Sequence, residues 1–325
     1  MNRSRRRFLH WAAGAAALPF LSRLAEAQDY PTRPVVLVVG FAPGGSADIL
    51  GRLVGQWLLE RLGQQIVVEN RAGAGTNIAT EAALRAPPDG YTLLLVSPAS
   101  AINATLYENL SFNFIRDCAP VAGITSSPGL MVVHPSVPAR TVAEFIAYGK
   151  ANLGKVNMAS AGNGSMGHIS GELFKMMTGV NLVHVPYRGN GPALTDILGG
   201  QVQVLFPSAP SAIEYVRAGT LSGPAVTAAK RSPAFPDIPT LDETVPGYEA
   251  VQWYGIVAPR NTPAQIVDRL NAEINAGLAN PKMTARLADL GGVPMAGTPA
   301  EFGKFIADET EKWGKVVKFS GAKPE

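Results

Sequence analysis

Cysteine is almost absent. Cys118 stands alone among 325 residues, which excludes an internal disulfide and leaves stability to packing even in an oxidising compartment. Histidine is nearly as scarce. His134, His168 and His184 follow His10 of the basic N-terminal stretch, and none belongs to an H-E-x-x-H pair or a Cys/His cluster, so the spacing offers no metal site. Charged residues are only 16% of the chain, and no apolar run is long enough to span a bilayer. Nucleotide signatures are missing: Gly40 to Gly45 lacks a G-x-G start, Gly73 and Gly75 have no third glycine at Ile78, and no G-K-[ST] P-loop occurs. Asn163 stands two positions before Ser165, where a G-x-S-x-G nucleophile elbow needs glycine. No spacing nominates an acid/base pair, and nothing calls for a cofactor.

What is present begins with a leader. Ser4, Arg5, Arg6, Arg7, Phe8, Leu9 and His10 form a twin-arginine-type export motif, followed by a short apolar run from Trp11 to Leu21. Ala25, Glu26 and Ala27 supply a small-x-small cleavage signal, so residues 1–27 are expected to be removed after Ala27 and the mature chain to be periplasmic. The formal charge of +3 is then misleading as a hint of nucleic acid. Removing Arg3, Arg5, Arg6, Arg7, Arg23 and Glu26 from 28 basic and 25 acidic residues leaves a net charge of −1. No nucleic-acid partner is expected, and the mature chain is expected to be a monomer.

The remaining length exceeds the usual size of one domain and predicts two. Short apolar runs alternate with helical patterns, which reads as α/β with mainly parallel sheets flanked by helices. Strands are expected at 35–39, 65–69, 92–96, 129–134, 156–160, 182–185, 202–206 and 255–258. Capping signatures mark helix starts at Thr141 with Glu144, Thr262 with Gln265, and Thr298 with Glu301. One long helix is expected over 299–319, burying Phe302, Phe305, Ile306, Trp313 and Val316. No linker is evident, so the chain is expected to cross between lobes twice, near 124–128 and 247–253. That gives lobe 1 as 28–125 plus 251–325 and lobe 2 as 126–250.

Three glycine-rich turns follow strand candidates: 41–46, 71–77 and 160–165. Each alone reads as a tight turn. Together they lie where open α/β sheets bind ligands, beyond the carboxyl ends of the strands. There glycine admits a ligand to the backbone, and free N–H groups at the next helix start favour an anion. His168, at a helix start, is placed to reach such a ligand; His134 and His184 end strands and read as structural.

These residues resemble the solute-binding receptors of tripartite tricarboxylate transporters, the Bug family. The resemblance runs from Tyr30 to about Val317. It rests on the blocks FAPGG at 41–45, VVENR at 67–71 with GAG at 73–75, PDGYTLL at 88–94, SAGNG at 160–164, HVPYRG at 184–189, PALTD at 192–196 and WYG at 253–255. It implies a two-lobed periplasmic-binding-protein (Venus-flytrap) fold with a ligand cleft between the lobes. It also implies a non-enzymatic role: holding a small mono- or dicarboxylate for delivery to membrane permease subunits. The ligand contacts it implies are Phe41, Ala42, Gly44, Gly45, Ser46, Thr76, Asn77, Ser97, Pro98, Ala99, Ser160, Gly162, Gly164, Ser165, Tyr187, Pro207 and Ser208. Pro207 and Ser208 depart from an Asp-Asn pair common in relatives, which disfavours a ligand bearing a free ammonium. Two other readings remain open: a ligand-presenting sensor component, and a hydrolase or decarboxylase using the same cleft. The second would need an activated nucleophile or paired carboxylates.

Overall fold

The computed structural model describes residues 30–324 apart from Ala42, Gly44, Gly45, Arg188, Gly189 and Ala234. The expected leader, and Ala42, Gly44 and Gly45 of the first turn, therefore lie outside the described residues.

The apolar run β1 (Val35–Val39) is buried on both faces because it is central: it pairs in parallel with β2 (Ile66–Asn70) and β3 (Thr92–Val96). Three helices serve this layer. Helix α1 (Ser46–Leu62) buries Leu50, Val54 and Leu58, α2 (Asn77–Leu84) precedes β3, and α3 (Pro98–Leu106) follows it. A short α4 (Phe114–Asp117) leads into β4 (Cys118–Pro128), which pairs antiparallel with β10 (Val251–Pro259). The edge strand β11 (Val293–Pro294) completes a sheet ordered β11-β4-β10-β3-β1-β2.

The second sheet is built from the intervening chain: β5 (Leu130–Val133), β6 (Asn157–Ser160), β7 (Val183–Pro186), β8 (Val204–Leu205) and β9 (Ser222–Val226), in the order β7-β6-β8-β5-β9. Its helices are α5 (Val142–Ala151), α6 (Met166–Thr178), α7 (Asn190–Leu198) and α8 (Ala209–Arg217). The C-terminal segment adds α9 (Ala264–Leu278), α10 (Pro281–Asp289) and α11 (Pro299–Ser320). The fold is two-lobed and α/β, with both sheets mixed. Among the described strands, parallel pairing runs through β2-β1-β3 and β7-β6-β8, and strands next to the crossings supply the antiparallel pairs.

The chain passes between sheets at Gly129 and returns at Ala250. Thr227, almost wholly buried, ties the two passages together: its hydroxyl accepts from the Gly129 N–H at 2.7 Å and donates to the Ala250 carbonyl at 2.5 Å. A Cβ at Gly129 would lie 2.9 Å from that hydroxyl and 3.0 Å from the Pro207 carbonyl, so the crossing has room only for glycine. Helix α11 packs against both α3 and α6, and so braces the two lobes. Its Glu309 is buried and accepts from the indole N–H groups of Trp253 and Trp313, each at 2.8 Å, while Lys312 pairs with its other oxygen.

The capping boxes at Thr141/Glu144 and Thr298/Glu301 form as expected. The third does not. Helix α9 starts at Ala264 behind Pro263, and the Thr262 hydroxyl turns back to donate to the Pro259 carbonyl at 2.7 Å.

Candidate functional site

The turns beyond β1, β2, β3 and β6 converge. A cavity of about 450 Å³ is lined by Gly40 and Phe41 after β1, residues 72–76 after β2, Ala99 and Asn103 of α3, and Asn163, Gly164 and Ser165 after β6. A smaller one of about 180 Å³ shares Ser165 and continues along the second lobe past Gly129, Phe206, Pro207, Ser208 and Gln252. Neither has an Asp, Glu, His, Lys or Arg among its described lining residues. The described side-chain donors of both cavities are neutral.

The first-lobe wall is a strained backbone. Gly73, Ala74, Gly75 and Thr76 have φ of 134°, 46°, 61° and 84°, so two residues with a Cβ occupy left-handed conformations, one of them β-branched. Such residues cost about 1–3 kcal/mol each and persist only where the surroundings over-determine them. Here the Thr76 N–H donates to the Gly73 carbonyl at 3.0 Å. The Asn103 amide donates to the Gly75 carbonyl at 2.5 Å and to Asn77 Oδ1 at 3.1 Å. Gly40 closes the packing, since a Cβ there would lie 2.6 Å from Thr76 Cβ.

That wall encloses polar atoms without partners. Thr76 is the N-cap of α2 and Ser97 that of α3, yet neither hydroxyl caps its helix. Thr76 Oγ1, Asn77 Nδ2 and Ser97 Oγ are buried with no hydrogen-bond partner among the described residues. Each such atom costs about 1–3 kcal/mol. They stand where the first N–H groups of two helices lack intrahelical acceptors and carry the positive end of the helix dipole.

The second-lobe wall is the reverse. In the 160–165 turn the Gly162 N–H donates to Ser160 Oγ at 3.2 Å and the Gly164 N–H donates to His168 Nδ1 at 3.0 Å, so these two amides do not point free into the cleft as the sequence suggested. Ser165 accepts from the His168 N–H at 3.3 Å and caps α6. Ser160 is fully buried and its hydroxyl lies 2.6 Å from His184 Nε2.

The expected contacts thus sort into three groups. Phe41, Thr76, Ala99, Gly164, Ser165, Pro207 and Ser208 line the cavities. Asn77, Ser97 and Pro98 are buried beside them. The other described ones bond elsewhere: Ser160, Gly162 and His168 bond within and behind the second turn, Ser46 bonds with Tyr254, and the Tyr187 hydroxyl donates to Asp196 Oδ2 at 2.6 Å. The His168 ring is buried and its Nδ1 takes the Gly164 N–H, so it stands behind the turn as a support. Asn103 was missed. A signal existed: it lies four residues after Ala99 on α3, a polar residue among buried Ala101, Ile102 and Leu106.

Residues 50–321 match the tripartite tricarboxylate transporter family receptor. The chain belongs to that receptor family. It is 37% identical over 301 residues to Protein BugT of Bordetella pertussis, covering 92% of each chain. Among solved structures, R. palustris Rpa4515 with adipate shares 37% identity at a TM-score of 0.78, over 91% of this chain and all of that one. MatC of Rhodopseudomonas palustris with bound malate shares 33% at a TM-score of 0.74, over 89% of this chain and all of the other. The receptor is accordingly a periplasmic solute-binding protein of the tripartite transporter type and not an enzyme.

Proposed function

We propose that this receptor closes its two lobes on a small dicarboxylate and delivers it to the membrane permease subunits of a tripartite tricarboxylate-type transporter. The observation that carries the reading is a cleft with no charged side chain among its described lining residues, walled by Thr76 and backed by Ser97, two N-cap hydroxyls left without partners beside helix N-termini. One carboxylate sits there; the far end of the ligand enters the smaller cavity beside Pro207 and Ser208. That cavity has no described acidic side chain to pair with an ammonium, so plain acids are preferred over amino acids. The relatives solved with adipate and malate carry ligands of this class. In the same reading the leader is cleaved after Ala27, and the lobes divide as 28–125 plus 251–325 and 126–250, hinged on the crossings that Thr227 joins.

A ligand that binds only the folded state raises the melting temperature, by an amount worth about 2.7 kcal/mol at a hundredfold excess over Kd. Succinate, malate and adipate are expected to stabilise the mature protein, and aspartate and glutamate to leave it unchanged. Stabilisation by the amino acids alone would refute the assignment.

A further inference from the structure

Behind the second-lobe turn lies a pair of groups that ligand binding, as described so far, leaves unused. His184 is on β7, which pairs with β6 so that Met158 faces it in register, and His168 is in the first turn of α6. Their rings stack 3.8 Å apart and only 10° from parallel. Each ring touches the turn at a different point. His168 Nδ1 takes the Gly164 N–H, and His184 Nε2 meets the Ser160 hydroxyl, which in turn takes the Gly162 N–H.

This geometry fixes the charge state. An Nδ1 that accepts a backbone N–H carries no proton, so His168 is the neutral Nε2–H tautomer. Two imidazolium rings face to face at this distance would repel. Among the described residues, the charged groups around the pair are both on α6: Glu172, whose Oε1 is 3.8 Å from His168 Nε2, and Lys175, which holds that same oxygen at 2.8 Å. From β6 the facing group is the neutral Ser160. Burial, the neighbouring ring and Lys175 bring His168 down to about 3, and burial and Lys175 bring His184 to about 4.

We infer that His168 and His184 are positioning residues of the cleft, a neutral stack that holds the glycine amides of the 160–165 turn and so sets the distance between the lobes without touching ligand. A Cβ at Gly164 would lie 2.7 Å from Leu106 Cδ2 of the first lobe, so the turn faces that lobe closely and its position bears on the gap in which the ligand sits. The inference rests on the cleft reading above.

Binding of adipate by calorimetry tests it in His168→Leu, His168→Asn and His184→Leu, with circular dichroism as the check on folding. Asn offers a carbonyl oxygen near the place of Nδ1; Leu offers nothing. His168→Leu is expected to weaken adipate binding by about tenfold or more, and His168→Asn to recover most of the loss. Wild-type Kd is expected to stay flat from about pH 5.5 to 8, since the pair is neutral throughout. A His168→Leu variant that binds as wild type overturns the inference, and so does His168→Asn binding as poorly as His168→Leu. A wild-type Kd that follows a titration near the ordinary histidine value overturns it too. Each of these leaves the cleft reading intact. A wild-type protein that binds no carboxylic acid overturns that reading and this inference together.

Discussion

Thr298 and Thr76 both stand at the N-cap of a helix, and their hydroxyls have opposite fates. Thr298 accepts from the Glu301 N–H at 3.2 Å while Glu301 reaches back to the Thr298 N–H at 2.7 Å, closing a capping box that anchors α11. Thr76 sits in a left-handed conformation with its hydroxyl buried and unpaired at the head of α2. The first spends its hydrogen bond on stability, about 1 kcal/mol for a typical cap. The second withholds it, and the cost falls on the unliganded protein. Helix starts remote from the cleft, at Asn113, Thr141 and Asn280, follow the first pattern, as does Ser165 on the second-lobe wall; on the first-lobe side Ser97, two residues before the lining Ala99, follows the second.

If that contrast is functional, substitutions at the two kinds of position must separate stability from binding. The largest effect is expected for Thr76→Val. A hydrogen bond to a charged group contributes about 1.5–3 kcal/mol, so dicarboxylate binding is expected to weaken by about 10–100-fold. The melting temperature without ligand should hold or rise, because an unpaired buried hydroxyl is replaced by a methyl. Calorimetry and thermal denaturation on one sample decide this. A lower melting temperature with unchanged Kd would place Thr76 among ordinary caps.

The second-lobe turn sharpens the contrast, since its polar groups are satisfied by histidines. Both rings have folded-state values below the ordinary 6.5, at about 3 and about 4. Below pH 6.5 the unfolded chain takes protons that the native pair refuses, so stability falls as pH drops and levels off only below the native values. Melting temperatures are expected to decline from pH 7 to 5, and the decline to shrink in a His168→Asn, His184→Asn double variant. An equal decline in both proteins would locate the acid sensitivity elsewhere.

Thr298→Ala is expected to act the other way from Thr76→Val. It should cost about 1 kcal/mol, or roughly 1–2 °C in melting temperature for a protein of this size, with Kd unmoved. The smallest effect expected is that of salt. With no charged side chain among the described lining residues, raising ionic strength should change Kd by less than about twofold, whereas a ligand held by lysine or arginine would be screened.

Much of this was legible in the residues. The run at 35–39 is apolar throughout and could only be a strand covered on both faces; the glycine turns after it, after β2 and after β6 located the cleft. Strands broken by proline and glycine were not legible. β4 contains Pro120, Gly123 and Pro128, and β9 contains Gly223 and Pro224, so their pattern reads as loop until long-range pairing with β10 and β5 overrides it. Side-chain commitments were not legible either. A serine or threonine before a helix reads as a cap, and nothing local tells Thr298 from Thr76; Gly40, thirty-six positions away, and Asn103 on another helix hold Thr76 in its left-handed turn. The histidine stack likewise depends on the register of β6 against β7.

A crystal structure of the mature protein with adipate tests the central claim most directly. One carboxylate oxygen is predicted within about 2.5–3.0 Å of Thr76 Oγ1, with further contacts from N–H groups at the start of α2 or α3. A carboxylate paired instead with an arginine or lysine side chain, while Thr76 Oγ1 and Ser97 Oγ stay unpaired, would contradict it.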